Sequence, residues 1–305
     1  MSDLILYFNT TIVLAVPILL VALGVCFSDK SGVYGMFAEG SMLSACFMSV
    51  LIMTGTGNVV LAVLGAVLTG GVVAGVFSVL SVRIGTHQVL TALAINFACV
   101  GLTSSLMNLV WERGNLPQFA QPGNVPIPLL SKIPFIGEVL FDQPVLIYIV
   151  YGLVPLSWWI LFRSTWGQNI RAVGENMKCA DTLGINVNNT RTAAVIVCGM
   201  FAGLAGVVLA VQQVGTFTEQ MTGAKAWMGI ISVYFGGWNP LGATGAALVF
   251  GLASALEKRI QLIPNINLSS YVVQMFPYIA AMLVIIATGR NRRHPAAITQ
   301  YYRKQ

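Results

Sequence analysis

Four charged side chains, Arg171, Glu175, Lys178 and Asp181, crowd one polar stretch of this chain, WGQNIRAVGENMKCADTLGINVNNT (Trp166–Thr190). Only 9% of all residues are charged, so such a concentration marks a contact. The spacing predicts one short helix over Arg171–Asp181. Glu175 follows Arg171 by four residues, a pair that supports a helix by ~0.2–0.5 kcal/mol. Gly174 permits close approach of another surface, and Gly184 suits a left-handed helix end. Met177 and Leu183 add apolar anchors of the kind found at interfaces. The chemistry is recognition, because no nucleophile, base or ligand cluster accompanies these charges. A plain solvated connector would be far shorter.

Other reactive groups are sparse. The phosphate-cradling pattern G-x-x-x-x-G-K-[ST] does not occur, so the chain is not expected to bind ATP. His87 and His294 lack His or Cys neighbours at metal spacing, and no metal site is expected. No Ser/His/Asp order or G-x-S-x-G suggests a hydrolase, so no catalytic residues are assigned and the chain reads as a non-enzyme. Of five cysteines, Cys26, Cys46, Cys99 and Cys198 lie in apolar spans and Cys179 in the polar loop, as small core residues and an ordinary thiol. Four side chains within or beside apolar spans are placed to meet a polar solute: Glu39, Asn96, Gln212 and Trp227. Structural alternatives exist for three of them. Glu39 suits a helix N-terminus, Asn96 an interhelical hydrogen bond and Trp227 an interfacial anchor. Glu39 is the one acid available to a coupled carrier, so energy for pumping is expected from a partner.

The elements that position these groups are membrane spans. Hydrophobic residues make up 56% of the chain, and its mean hydropathy is +0.80. That composition predicts an all-α polytopic membrane protein. The alternation of a β-barrel is absent. Spans are expected at Leu4–Phe27, Ser41–Thr54, Val59–Val82, Leu90–Val110, Val145–Phe162, Thr192–Val211, Trp227–Phe235, Leu241–Leu256 and Ser270–Thr288. That is about nine, within a range of about 8–10. Ser41–Thr54 and Trp227–Phe235 read as short or broken, a form tolerated only where protein or water surrounds them. The first span has no basic leader or cleavage site and reads as a retained helix. The whole chain, 1–305, is expected to form one transmembrane domain, with a cytoplasmic loop at 164–191 and a basic tail at 290–305. With that loop and the tail inside, Lys and Arg number 11 inside and 5 outside, following the positive-inside rule. The net charge of +6 thus reflects topology, and no nucleic-acid partner is expected.

An internal echo accompanies the short spans. MTGTGNVVLAVLGAVLTGG (Met53–Gly71) resembles YFGGWNPLGATGAALVFGL (Tyr234–Leu252), aligning Asn58 with Asn239 and Gly70 with Gly251, both 181 positions apart. With five spans between the copies, they predict an inverted repeat, and a substrate path at its interface.

The loop and its flanks also carry a family resemblance. Gly167, Arg171, Ala172, Gly174, Asn176, Ala180, Gly184 and Ile185, followed by Gly199, Ala202, Gly203, Leu204, Ala205 and Gly206, match in order a conserved region of ABC importer permeases. The branch serves ribose-type sugars, branched-chain amino acids and nucleosides. SGVYGMFAEGSML (Ser31–Leu43), GTHQVLTALAINF (Gly85–Phe97) and FGGWNPLGATGAALVFG (Phe235–Gly251) resemble it too, the last two its nucleoside-type members. Departures fall at Gly35-Met36-Phe37, where Asn-Ile-Gly is usual, and at Cys179, where Ala is usual. The resemblance implies that 1–305 is a single transmembrane permease domain, a translocation subunit in a bacterial inner membrane, surrounded by lipid, with its C-terminus cytoplasmic. It implies a second, different permease, two cytoplasmic ATPase subunits that bind ATP and Mg, and an extracytoplasmic binding protein or lipoprotein. It assigns coupling to the ATPase to Arg171, Gly174, Glu175, Asn176, Met177, Ala180, Gly184 and Ile185. A nucleoside is the leading solute; a sugar, a riboflavin-like compound or an amino acid is the alternative, as is a self-sufficient secondary carrier.

Overall fold

The computed structural model describes residues 2–111, 116–126, 136–261 and 294–302, with Met275, Ile279 and Met282. Among these, seven helices are long and apolar enough to cross a membrane. They are built from α1 (Ser2–Lys30), α2 (Ala38–Thr56), α3 (Val59–Ser78), α4 (Gln88–Val110), α6 (Val145–Arg163), α9 (Val187–Val207) and α11 (Pro240–Gln261). α3 and α9 are each prolonged by a π-helical turn, Val79–Ile84 and Val208–Val214. The short span is α10 (Lys225–Gly236), only 12 residues long. The expected last span, 270–288, lies outside the described residues apart from three isolated positions. The connection between α4 and α6 carries a small helix, α5 (Ile136–Leu140), and a two-stranded antiparallel ladder of β1 (Asn124–Pro126) with β2 (Asp142–Pro144).

One expected short span is longer than its composition suggested. A 3-10 turn at Gly35–Phe37 leads directly into α2, so Gly35–Thr56 makes a 22-residue crossing. Two polar groups at its start are met by protein, while the buried Ser41 hydroxyl has no hydrogen-bond partner among the described residues. The Gly40 N–H donates to Asn96 Oδ1 at 2.8 Å, and Glu39 accepts from the Ala226 N–H at 3.2 Å.

The inverted duplication is visible in the packing. α3 packs on α9 as α11 packs on α1, and α2 packs on α9 as α10 packs on α1. The echoed glycines sit at matching crossings. A Cβ on Gly70 would strike the backbone of Gly199 and Gly203 on α9, and one on Gly251 would strike Thr11 and Ala15 on α1. Both junctions also share one capping geometry. Gly57 and Gly237 each have φ 65°, the left-handed value of a helix C-terminus. Asn58 and Asn239 then accept from the N–H two residues on, at 2.9 and 3.1 Å. α11 starts beside the C-terminal end of α1, where Trp238 reaches Asp29, and runs back towards Tyr7, whose hydroxyl donates to the Leu252 carbonyl. α3 instead starts at the far end of α2. The two copies therefore run in opposite senses.

α1 and α9 form the buried centre. α3 turns Leu64, Leu68, Val72 and Val76 outward at four-residue spacing, an apolar stripe suited to lipid or a membrane neighbour.

Candidate functional site

The half-length helix α10 is suspended between two acids. At its N-terminus the Glu39 carboxylate accepts from the Ala226 N–H and faces the Trp227 N–H and the Thr222 hydroxyl. A carboxylate there satisfies orphan donors and complements the helix dipole. Beyond its C-terminus, Trp238 Nε1 donates to Asp29 Oδ2 at 3.2 Å, while Asp29 Oδ1 accepts from the Gly35 N–H at 3.0 Å. Gln220, Ala224 and Trp238 flank α10 with φ of 51°, 60° and 54°. These left-handed values cost non-glycine residues roughly 1–2 kcal/mol each. Such strain persists where surrounding structure holds it, often at binding sites.

A cavity of about 310 Å³ opens at this N-terminus. Glu39, Gly40 and Leu43 from α2 line it, with Leu93, Asn96, Phe97 and Val100 from α4, and Gln220, Thr222, Gly223, Ala224 and Trp227 around the start of α10. Three of the four expected path residues, Glu39, Asn96 and Trp227, thus meet at one cavity. Asn96 has both amide groups engaged, its Nδ2 donating to the Met36 carbonyl at 2.9 Å, so it fixes the start of α2 as well as lining the wall. Gln212 lies elsewhere. It is 5% exposed within the π-helical turn after α9, and neither amide atom has a hydrogen-bond partner among the described residues. Sequence reading missed Phe97 and Thr222 because their proximity depends on how α4 meets the unwound segment before α10.

The polar loop is two helices, α7 (Thr165–Glu175) and α8 (Met177–Thr182), where sequence spacing predicted one over Arg171–Asp181. Asn176 breaks the run. Its backbone turns to an extended conformation, with φ -153°. Its Oδ1 accepts from the Cys179 N–H at 3.1 Å, capping α8. This divides the expected coupling residues. Glu175, Asn176 and Gly184 are exposed, beside Lys178, Cys179 and Leu183, the last 76% exposed. Arg171 and Ile185 are half-buried, with the Arg171 guanidinium 5.2 Å from the Phe162 ring centre. Gly174, Met177 and Ala180 are buried in the chain's own packing. The surface that approaches Gly174 is the Lys30 carbonyl at the end of α1. Met177 and Ala180 pack with Val173, Val187 and Ala297.

The segment 294–302 docks on this face. The Ala297 N–H donates to the Gly174 carbonyl at 2.9 Å, and Ala297 packs on Gly32. Tyr302 hydrogen-bonds Asp181, whose carboxylate raises the phenol pKa by favouring the protonated form. Arg191 is the main residue missed. In sequence it counts as one more inward charge, yet it is 1% exposed. Its position inside α9, beyond the Asn186 cap, was the available signal.

An inverted pair of helix bundles, a half-length helix and a cavity beneath its N-terminus define a multi-pass membrane permease. Residues 7–296 match the family described as branched-chain amino acid transport system / permease component, and the chain belongs to it. The guanosine ABC transporter permease protein NupQ of Bacillus subtilis (strain 168) is 32% identical over 284 residues, covering 90% of this chain and 89% of that protein. The nucleoside ABC transporter permease protein NupC of Lactococcus lactis subsp. cremoris (strain MG1363) is 30% identical with the same coverage. The guanosine ABC transporter permease protein NupP, also of Bacillus subtilis (strain 168), is 25% identical over 257 residues, covering 80% of this chain and 72% of that protein. The chain is accordingly a permease subunit of an ABC importer, a transport component of the membrane.

Proposed function

We propose that this subunit moves a nucleoside into the cytoplasm, and the cavity at the start of α10 is the observation that carries the reading. Trp227 and Phe97 offer aromatic faces to a base. Glu39, Asn96, Gln220 and Thr222 offer polar atoms to a ribose. The cavity, at about 310 Å³, is large enough for a small ligand. The names of NupQ, NupC and NupP agree with this solute class. NupP and NupQ are two permeases named for one solute in one strain, and this chain is nearer to NupQ. That pattern supports pairing with a second, different permease. Two ATPase subunits bind ATP and Mg, and an extracytoplasmic binding protein or lipoprotein delivers solute.

The ATPase docks on the exposed face formed by Glu175, Asn176, Lys178, Cys179 and Leu183. Gly174, Met177 and Ala180 hold that face to the body of the subunit. The docking face and the tail are cytoplasmic, and transport proceeds by alternating access.

The test is uptake by the complete transporter in proteoliposomes with ATP on the side of its ATPase subunits. Guanosine is expected to accumulate, and excess glucose or leucine to leave the rate unchanged. Uptake driven by this chain alone under an ion gradient, or competition by glucose instead of nucleosides, would refute the reading. Glu175→Lys with Leu183→Asp is expected to reduce ATPase co-purification about tenfold, equivalent to about 1.4 kcal/mol, without changing the subunit's melting temperature. Unchanged co-purification would remove the docking assignment.

A further inference from the structure

The guanidinium of Arg191 is buried and held by backbone carbonyls. Its Nε donates to the Ser31 carbonyl at 3.2 Å, and its Nη2 to the carbonyls of Gly32 at 2.6 Å, Gln300 at 3.0 Å and Ala297 at 3.4 Å. Two acceptors lie in the turn between α1 and α2, and two in the segment 294–302. A buried charge needs all its hydrogen bonds, because losing acceptors leaves it desolvated and uncompensated. The α1–α2 turn, the start of α9 and the segment 294–302 must therefore move together or not at all.

At one end that unit holds the buried side of α7, behind the docking face. The Gly174 carbonyl of α7 accepts from Ala297, and Gly174 packs on the Lys30 carbonyl with no room for a Cβ. At the other end it reaches the cavity helices. The Ser28 hydroxyl donates to the Val33 carbonyl at 2.7 Å, and Asp29 joins the Gly35 N–H to Trp238 just beyond α10. The Tyr34 N–H donates to Gln88 Oε1 at 3.1 Å, at the first turn of α4. Both α4 and α10 contribute walls of the cavity.

We propose that Arg191 and the segment 294–302 form the mechanical link that carries movement of α7 to α4 and α10, so that Arg191 is a positioning residue for transport. The inference rests on the reading of the α7–α8 face as the ATPase docking site. It assigns energy transfer to a buried cation and a tail segment, both outside the cavity lining and the docking residues named above.

The experiment measures ATP hydrolysed per solute taken up by the complete transporter in proteoliposomes. Arg191→Lys keeps the charge but loses the fork that spans four carbonyls. Truncation after Arg293 removes two of those acceptors and the Gly174 partner. Each is expected to leave hydrolysis within about twofold of the unaltered transporter and to lower uptake about tenfold, inside the ~5–150-fold range of typical couplings. The combined variant is expected to be no worse than either alone, since both cut one link. The link is overturned if hydrolysis and uptake fall together at constant stoichiometry, if neither changes, or if the two losses multiply. If Arg191→Lys fails to assemble, the truncation alone decides by the same ratio. Failure of the docking assignment is separately visible: Glu175→Lys with Leu183→Asp would then leave ATPase association intact while the Arg191→Lys ratio still rose.

Discussion

Removing the Glu39 carboxylate should loosen the start of α10 before it alters the affinity for solute. In Glu39→Ala, the Ala226 N–H, the Trp227 N–H and the Thr222 hydroxyl lose their shared acceptor. Each unsatisfied buried donor costs about 1–3 kcal/mol, and the cavity admits water, so the lower bound applies. About 3 kcal/mol in all corresponds to roughly a hundredfold increase in opening of the first turn. Glu39→Gln keeps an acceptor and loses the charge at the helix N-terminus, worth about 1 kcal/mol, or roughly fivefold. Hydrogen exchange with mass spectrometry in nanodiscs reads both variants at Ala226–Met228. The expected order of protection is unaltered, then Gln, then Ala, with uptake falling in the same order. If Glu39→Gln abolished uptake while protection at Ala226 and Trp227 held, transport would depend on the carboxylate's charge towards solute or proton, and capping would not be its main role.

Two other perturbations follow from the same geometry. Gly70→Leu and Gly251→Leu drive side chains into the backbones of α9 and α1. Overpacking of about 1–3 kcal/mol or more should lower the melting temperature of the purified subunit in both cases. Gly75→Leu faces open space and should melt normally; equal sensitivity at all three would refute the matched crossings. Trp227→Ala should raise the KM for guanosine uptake about tenfold, on the ~1–3 kcal/mol scale of a base–aromatic stack, with ATPase association unchanged. An unchanged KM would move the base-binding wall elsewhere.

The spans, the echo and the polar loop were legible because each is a local property of composition. Hydrophobic length alone locates helices in a membrane, and small residues at fixed offsets locate close crossings. The division of the loop into inward and outward faces was not legible. Gly174 and Met177 look like docking material by residue type, but only the folded position of α1 and the segment 294–302 turns them inward. Arg191 was missed for a related reason, and Asp29 shares its situation. Charges near span ends ordinarily sit in water, whereas these two are buried. Arg191 is held by a backbone partner 109 residues away, Gln300, and Asp29 by a side chain 209 residues away, Trp238.

The cavity is where the duplication stops being symmetric. Shifting Glu39–Leu43 by the echo's 181 positions lands on Gln220–Ala224. The first stretch is the opening of α2, wound as helix; the second is unwound, with Gln220 and Ala224 left-handed. Both stretches line the same cavity. The shortness of α10 follows directly, because the residues that would complete its first turns form the cavity wall instead. Glu39, in the intact copy, then supplies the acceptor that the shortened helix needs at its first N–H groups. Rewinding Gln220–Ala224 into helix would give α10 nearly the length of α2 and would fill the space in which solute sits. Relieving the left-handed strain offers the converse check. Gln220→Gly with Ala224→Gly should stabilise the unwound form by up to about 1–2 kcal/mol per site. The melting temperature should rise and uptake persist. A lower melting temperature with lost uptake would mean that the two side chains, and not their backbone geometry, hold the cavity open.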